Sequence, residues 1–356
     1  MHSSHDSRTG LGAHVWLALV VVYIVWGSTY LAIRVVVTEG LPPLLSMGVR
    51  FLLAGPLLAL LLATRGGWRR LAVTRRELAG SAVVGVLLLL GGNGMVAVSE
   101  QHVPSGLAAL LVATTPLWLV GFRALTGDRP GMATWLGTAV GFAGVAVLAR
   151  PGGHGDAIPL ASTLLVVLAT FLWATGSFAS GRLTMPKDPF VSAVWQMTCA
   201  GVALILSGLA TGEAPRMREA LVGGVPTQGA LALSYLIVFG SLAGYTAYYW
   251  LLRNAPISLV ATYAYVNPIV AVVLGWALLS EPVTSTVLVG GGLAVLGVLL
   301  VVSTERHGHR HEEPVEAEAE PEAAAASAPS PSSVPSSRAP VDGSRARPAE
   351  VPGTGR

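Results

Sequence analysis

Ten apolar stretches, most of them about 20 residues long, follow one another from residue 14 to residue 303 with short breaks between them. They cover 14–35, 43–63, 78–98, 105–125, 131–149, 158–180, 190–210, 229–251, 258–279 and 284–303. Twenty residues rising about 1.5 Å each cross the ~30 Å hydrocarbon layer of a bilayer. Lipid offers no partner to backbone N–H and C=O groups, so such a chain can fold only into helices or a closed barrel. The runs are continuously apolar, as in Val84-Gly85-Val86-Leu87-Leu88-Leu89-Leu90. A barrel strand would be about ten residues of alternating character. The first run continues through Trp26 and Tyr30 without a small-residue cleavage site, which predicts a span and not a removed signal.

Charge gives a second count. Only 12% of the 356 residues are charged, 53% are hydrophobic, and the mean hydropathy is +0.64. The pI near 9.2 invites a nucleic-acid reading. However, the basic excess lies in loops between spans: Arg65, Arg69, Arg70, Arg75 and Arg76, then Arg123 and Arg129, Arg182 and Lys187, and Arg253. The alternate loops hold Arg34, Arg150, Arg216 and Arg218. Basic residues collect on the cytoplasmic side. The pattern predicts cytoplasmic N and C termini and an even number of spans, and it excludes a nucleic-acid partner. The fold class expected is all-α integral membrane with ten transmembrane helices, multi-pass in a bacterial plasma (inner) membrane.

The chain also repeats itself. Pro104 and Pro116 recur as Pro256 and Pro268, 152 residues on; Asp128, Gly137 and Gly144 recur as Glu281, Gly290 and Gly297, 153 residues on. Trp26-Gly27-Ser28-Thr29 is matched by Trp173-Ala174-Thr175-Gly176. The unit is five spans, an odd number, so the second copy enters the membrane from the opposite side. Two inverted five-helix repeats can exchange conformations around a site near mid-membrane, which is the logic of alternating access. The predicted organisation is a short polar N-terminus over 1–13, repeats over 14–150 and 158–303, and a disordered Pro/Ser/Ala/Glu-rich cytoplasmic tail over 304–356. His307, His309 and His311 in that tail read as a solvated tract and not a metal site.

The motifs resemble an EamA domain of the drug/metabolite transporter superfamily. In the first copy they are Trp26-Gly27-Ser28-Thr29-Tyr30, Arg50-Phe51, Ala108 to Pro116, and Val145-Ala146-Val147-Leu148. In the second they are Tyr265-Val266-Asn267-Pro268-Ile269-Val270-Ala271 and Gly275-Trp276-Ala277-Leu278-Leu279-Ser280-Glu281-Pro282. The resemblance covers about 14–303 and implies a ten-helix permease moving small metabolites, often outward. Two departures stand out. Asp128 occupies the place of a usual Glu, and Asn267 stands where Glu often precedes Pro, removing a titratable group from the membrane.

Ionisable groups inside a span are functional candidates, because burying charge in lipid is costly. Arg50 is the deepest and is assigned a gating or charge role. Arg34, at a span end, is expected to snorkel; Glu100 and His102 are expected to be exposed. A substrate cavity needs aromatic walls with a few hydrogen-bonding groups. Trp26, Tyr30, Asn93, Trp173, Gln196, Tyr245, Tyr265 and Asn267 are the substrate-binding candidates, and Tyr263 also falls inside a span. Tyr248, Tyr249 and Trp250 read as an interface belt. The stripe Gly137, Gly141, Gly144 and its match Gly290, Ala294, Gly297 read as helix packing, with a homodimer face left open.

Rival classes fit less well. No paired aspartates, His-Glu-x-x-His helix or Gly-Lys-Ser/Thr loop occurs in the spans, and the sole cysteine is Cys199. Catalysis, a metal or a bound cofactor is therefore not expected. A membrane channel and a membrane-embedded enzyme remain the alternatives. The function read from the sequence is a secondary transporter in the lipid bilayer, exporting a small-molecule substrate such as an amino acid.

Overall fold

A computed structural model describes residues 13–310 apart from 128, 151–157, 256 and 261. Every regular element among the described residues is helical. The longer helices are α1 Ala13–Thr38, α2 Pro43–Gly66, α3 Arg75–Ser99, α4 Ser105–Leu125, α5 Met132–Leu148, α6 Leu160–Ser180, α7 Pro189–Ala210, α8 from Thr227 to Asn254, α9 Tyr263–Leu279 and α10 Ser285–Arg310, and short helices over Trp68–Leu71, Ala214–Gly223 and Ile257–Val260 lie between them. Eight of them are long and apolar enough to cross a membrane; α5 and α9 are shorter apolar helices of 17 residues each. The last helix runs to Arg310, seven residues beyond the expected boundary at Ser303. Asp128, His154 and the tail from residue 311 lie outside the described residues, as do the side chains of His307 and His309.

Local chemistry sets the helix starts. Proline stands at or just before the first residue of α2, α4, α6, α7 and α8, where its missing N–H has no helical partner to lose. Thr74 and Glu77 close a capping box on α3, with Glu77 N–H on Thr74 Oγ1 at 3.2 Å and Thr74 N–H on Glu77 Oε2 at 2.8 Å. Two helices change pitch midway. Val86–Gly94 in α3 and Leu236–Ala243 in α8 are wound as π-helix, at the same place in the third helix of each half. Such wide turns recur at functional sites.

Packing pairs the halves. Helix α2 lies antiparallel to α7, and a Cβ on Gly48 would stand 2.7 Å from Ile205 while one on Gly208 would stand 2.7 Å from Leu45. Helix α5 lies antiparallel to α10: Gly137 meets Gly297 and Leu300, and Gly144 meets Gly290 and Ala294. The small-residue stripes therefore cover each other inside the chain, where they let backbones approach closely. Contacts of α1 with α9 and α8 are mirrored by those of α6 with α4 and α3. Phe51, Met47 and Leu58 of α2 are fully buried with Met197 and Leu204 of α7. Leu57, Leu164, Val202, Trp276 and Leu288 are exposed on outward faces. So much exposed apolar surface is stable only against lipid. The chain is a multi-pass membrane protein.

Candidate functional site

A cavity of about 480 Å³ lies among α1, α2, α3, α4, α6, α7, α8 and α9. Its walls gather seven of the eight substrate-binding candidates, Trp26, Tyr30, Asn93, Trp173, Gln196, Tyr245 and Asn267, together with Arg50. The π-wound segments form part of the wall, contributing Leu88, Gly92 and Asn93 from α3 and Gly240 from α8.

Two tryptophans fit against glycines of the opposite half. A Cβ on Gly92 would stand 2.5 Å from Cε3 of Trp173, and one on Gly244 would collide with Nε1 of Trp26. Gly92 and Gly244 are 152 residues apart, the same offset as the repeated prolines. Trp26 then collects three tyrosines, with ring centroids 5.6 Å from Tyr245, 4.9 Å from Tyr248 and 5.3 Å from Tyr263. Edge-on and tilted contacts of this kind add to simple burial.

Tyr265 falls elsewhere. Residues advance 100° around a helix, so Tyr263, Ala264, Asn267 and Pro268 share the cavity face while Tyr265 turns away. It packs against Leu117, Val120, Val298 and Val301. Tyr263 stands in its place on the wall. Tyr248, expected in an interface belt, is also a wall residue, while Trp250 is exposed.

The polar groups differ in how far they are satisfied. Gln196 Nε2 donates to Ser192 Oγ at 2.8 Å. With its amide turned to satisfy both groups, Asn267 donates to the carbonyls of Tyr23 at 3.3 Å and Tyr263 at 3.2 Å, tying α1 to α9. Asn93 shows no hydrogen bond from its amide among the described residues. Arg50 is buried, donates from Nε to Ser241 Oγ at 3.0 Å, and lies over its neighbour Phe51 at 4.7 Å. No carboxylate pairs with it among the described residues. A Cβ on Gly240 would stand 3.1 Å from both Nη2 of Arg50 and Cγ2 of Thr29. Gly240 and Gly244 are four residues apart on α8, so the Arg50 guanidinium and the Trp26 indole meet neighbouring turns of that helix.

The two ends of the bundle are built differently. At one end Glu213 accepts from the N–H groups of Leu44, at 3.2 Å, and Leu45, at 2.9 Å, in the first turn of α2. Glu281 accepts from the N–H groups of Ser105, at 2.8 Å, and Gly106, at 3.2 Å, and from Ser105 Oγ at 3.0 Å, in the first turn of α4. Carboxylates satisfy the free donors and the positive dipole end of a helix. Ser280, with φ 54°, makes the sharp turn that returns Glu281 to this position. Arg34 is at the same end, half-buried, and its guanidinium donates to the Glu100 backbone carbonyl instead of snorkelling. Glu100 is not exposed: its relative exposure is 0%. His102 is exposed as expected.

At the other end Arg70 makes an ion pair of 2.6 Å with Asp188, which also caps α7 through Phe190 N–H at 3.0 Å. Burial alone would push the Asp188 carboxyl up. Hydrogen bonds from Arg70 and Phe190 and the charge of Arg70 outweigh that and hold it below its ordinary value. The cavity wall reaches Ser180, the last residue of α6, on this side. Carboxylate contacts tie the Glu213 end together, and the cavity wall extends to Ser180 at the Arg70 end.

Comparison with known proteins places this architecture. The model of the EamA-like transporter family matches residues 14–150 and again 160–303. The chain belongs to the EamA-like transporter family. It is 41% identical over 285 residues to the uncharacterized inner membrane transporter YedA of Escherichia coli (strain K12), covering 80% of this chain and 89% of that protein. It is 30% identical over 295 residues to the "Probable terminal-alkyne amino-acid exporter" of Streptantibioticus cattleyicolor, covering 82% and 94%. A chain of known crystal structure superposes with a TM-score of 0.53 at 19% identity, covering 82% of this chain and 98% of that one, which is a likeness of fold. The family match falls once on each half of the chain. A protein of this EamA-like family is a transporter, so the cavity is the candidate substrate site.

Proposed function

We propose that this chain is a secondary transporter that exports small carboxylate-bearing metabolites, amino acids foremost, by alternating access. Its ten helices form two inverted five-helix repeats, with both termini in the cytoplasm of a bacterial plasma membrane. The observation that carries the substrate class is Arg50, a buried guanidinium on the cavity wall with no carboxylate partner among the described residues. A guanidinium binds a carboxylate with two parallel hydrogen bonds. One helical turn away, the faces of Trp26 and Tyr245 offer a seat for an ammonium group or an apolar side chain. An amino acid carries both a carboxylate and an ammonium group, and the name of the Streptantibioticus relative agrees with that chemistry.

Alternating access is supported by the one-sided cavity and by the exchange of Trp26 and Trp173 between halves. A channel would connect both ends at once. In the proposed orientation Ser180 and the Arg70–Asp188 pair face the cytoplasm, and the cavity stands in an inward-facing state. A strain lacking the gene, challenged with amino acids and their toxic analogues, tests the reading. Hypersensitivity to at least one of them, restored by the wild-type chain but not by Arg50→Gln, is expected. Unchanged sensitivity across the panel contradicts export of this class.

A further inference from the structure

Glu100 has no part in the cavity chemistry, yet it is the most enclosed carboxyl of the described chain. It follows the last residue of α3, has a relative exposure of 0%, and neither of its side-chain oxygens has a hydrogen-bond partner among the described residues. A carboxylate stripped of water and donors is costly as an anion, and the group remains buried by holding its proton. Its neighbours do not reverse this. Arg34 on α1 spends its guanidinium on the Glu100 backbone carbonyl and not on the carboxyl. Glu281, across from it, is a second acid, engaged with the first turn of α4. Tyr30 on α1 is the cavity-wall tyrosine near enough to sense its charge. Helix α6 and the first half of α4 contribute no titratable side chain. Helix α2 carries Arg50, farther in, and Arg65 in its last turn at the opposite end, and has Glu213 at its first turn. Gln101 meets Arg216 at 3.4 Å, and His102 is exposed. Burial first, then the charge of Glu281, pushes the Glu100 carboxyl well above its ordinary value, with Arg34 opposing.

We propose that Glu100 is a proton-binding site whose protonated form belongs to the closed Glu213 end, so that opening this end releases one proton. Water entering between α1, α3 and α9 hydrates the carboxyl, its O–H bond breaks heterolytically, and the proton leaves with that water. Reclosing requires the proton back. The proposal rests on the two ends opening in turn, and not on which substrate the cavity takes.

A reporter thiol reads the opening directly, without substrate. Cys199→Ala removes the native cysteine, and Ser46→Cys places a near-isosteric thiol at a fully buried position in the first turn of α2. The full-length chain in proteoliposomes is labelled with a membrane-impermeant maleimide at several pH values, with rates corrected for the thiolate fraction of a free thiol. With Glu100 present, corrected labelling should rise by up to about tenfold per pH unit until the carboxyl is ionised, the limit for one linked proton. With Glu100→Gln, it should be slow and flat. Glu100→Asp should keep the pH dependence, and Glu281→Gln should keep it while moving it to lower pH, since the charge of Glu281 raises the Glu100 carboxyl. A flat profile with Glu100 present overturns the proposal whether or not the Gln variant inserts. So does a pH dependence that survives Glu100→Gln, or one that vanishes only with Glu281→Gln.

Discussion

Trp26 of the first half lies against Gly244 of the second, and Trp173 of the second lies against Gly92 of the first. A side chain on either glycine would occupy the space of an indole. We expect Gly244→Ala and Gly92→Ala each to shift a tryptophan off the wall, at an overpacking cost of about 1–3 kcal/mol. Transport should fall at least tenfold while membrane insertion persists. Flux in proteoliposomes, read beside the tryptophan fluorescence of the same preparation, checks this. Unaltered flux in both variants would detach these tryptophans from the transport cycle.

Trp26 and Tyr265 should behave differently, although both are large aromatics inside spans. Trp26→Ala removes the ring that Tyr245, Tyr248 and Tyr263 surround, and should reduce flux severely. Tyr265→Ala empties a packing position among Leu117, Val120, Val298 and Val301. The ring is half-buried, so its loss should cost less stability than the about 3–5 kcal/mol of a fully buried aromatic, with the flux per folded molecule retained. Thermal stability in detergent and flux normalised to folded protein separate the two effects.

The clasp at the Glu213 end should depend on charge. Glu213→Gln and Glu281→Gln keep the side-chain shape but remove the negative charge from the first turns of α2 and α4. Such an interaction contributes about 0.3–1 kcal/mol each in exposed sites, and up to ~2 kcal/mol when partly buried. Combining both substitutions should expose the thiol of a Ser46→Cys reporter faster at neutral pH. An unchanged labelling rate in the double variant would show that other contacts hold the end shut.

At the opposite end the expected effect of pH is small and has a definite sign. The Asp188 carboxyl is held below its ordinary value in the folded chain. Its contribution is therefore full above the unfolded value, about 3.9, and is lost as pH falls through the folded one. The pair is partly exposed, at 36% and 27% for the two side chains, so the loss should be no more than about 1 kcal/mol. Asp188→Asn retains a capping oxygen and should remove this acid-side decline. Thermal unfolding in detergent between pH 7 and pH 3 measures it; an equal decline in both proteins would assign it to other carboxyls.

Much of this architecture is legible in the chain because lipid imposes length and continuity on each helix. Eight of the ten apolar runs agree with the helix bounds to within three residues, the start of α9 and the end of α10 differ by five and seven, and the offset of 152 between Pro104 and Pro256 foreshadows the exchange between halves. The same offset joins Gly92 to Gly244, a signal present in the sequence that only the tryptophan contacts make meaningful. What was not legible depended on helical phase and on tertiary cover. Tyr263 and Tyr265 are equally aromatic, and the start of α9 after Thr262 decides which one meets the cavity. Glu100 sits in a short loop, where exposure is the ordinary expectation. Its burial comes from helices that are distant in sequence.

The most direct measurement of the central claim is counterflow of labelled amino acids in proteoliposomes, comparing the wild-type chain with Arg50→Gln. The account predicts saturable counterflow of at least one amino acid, inhibited by its free-carboxylate analogues but not by its amide, and lowered tenfold or more by the substitution. Counterflow that is undiminished in Arg50→Gln, or equally inhibited by the amide, would contradict a carboxylate seat at Arg50.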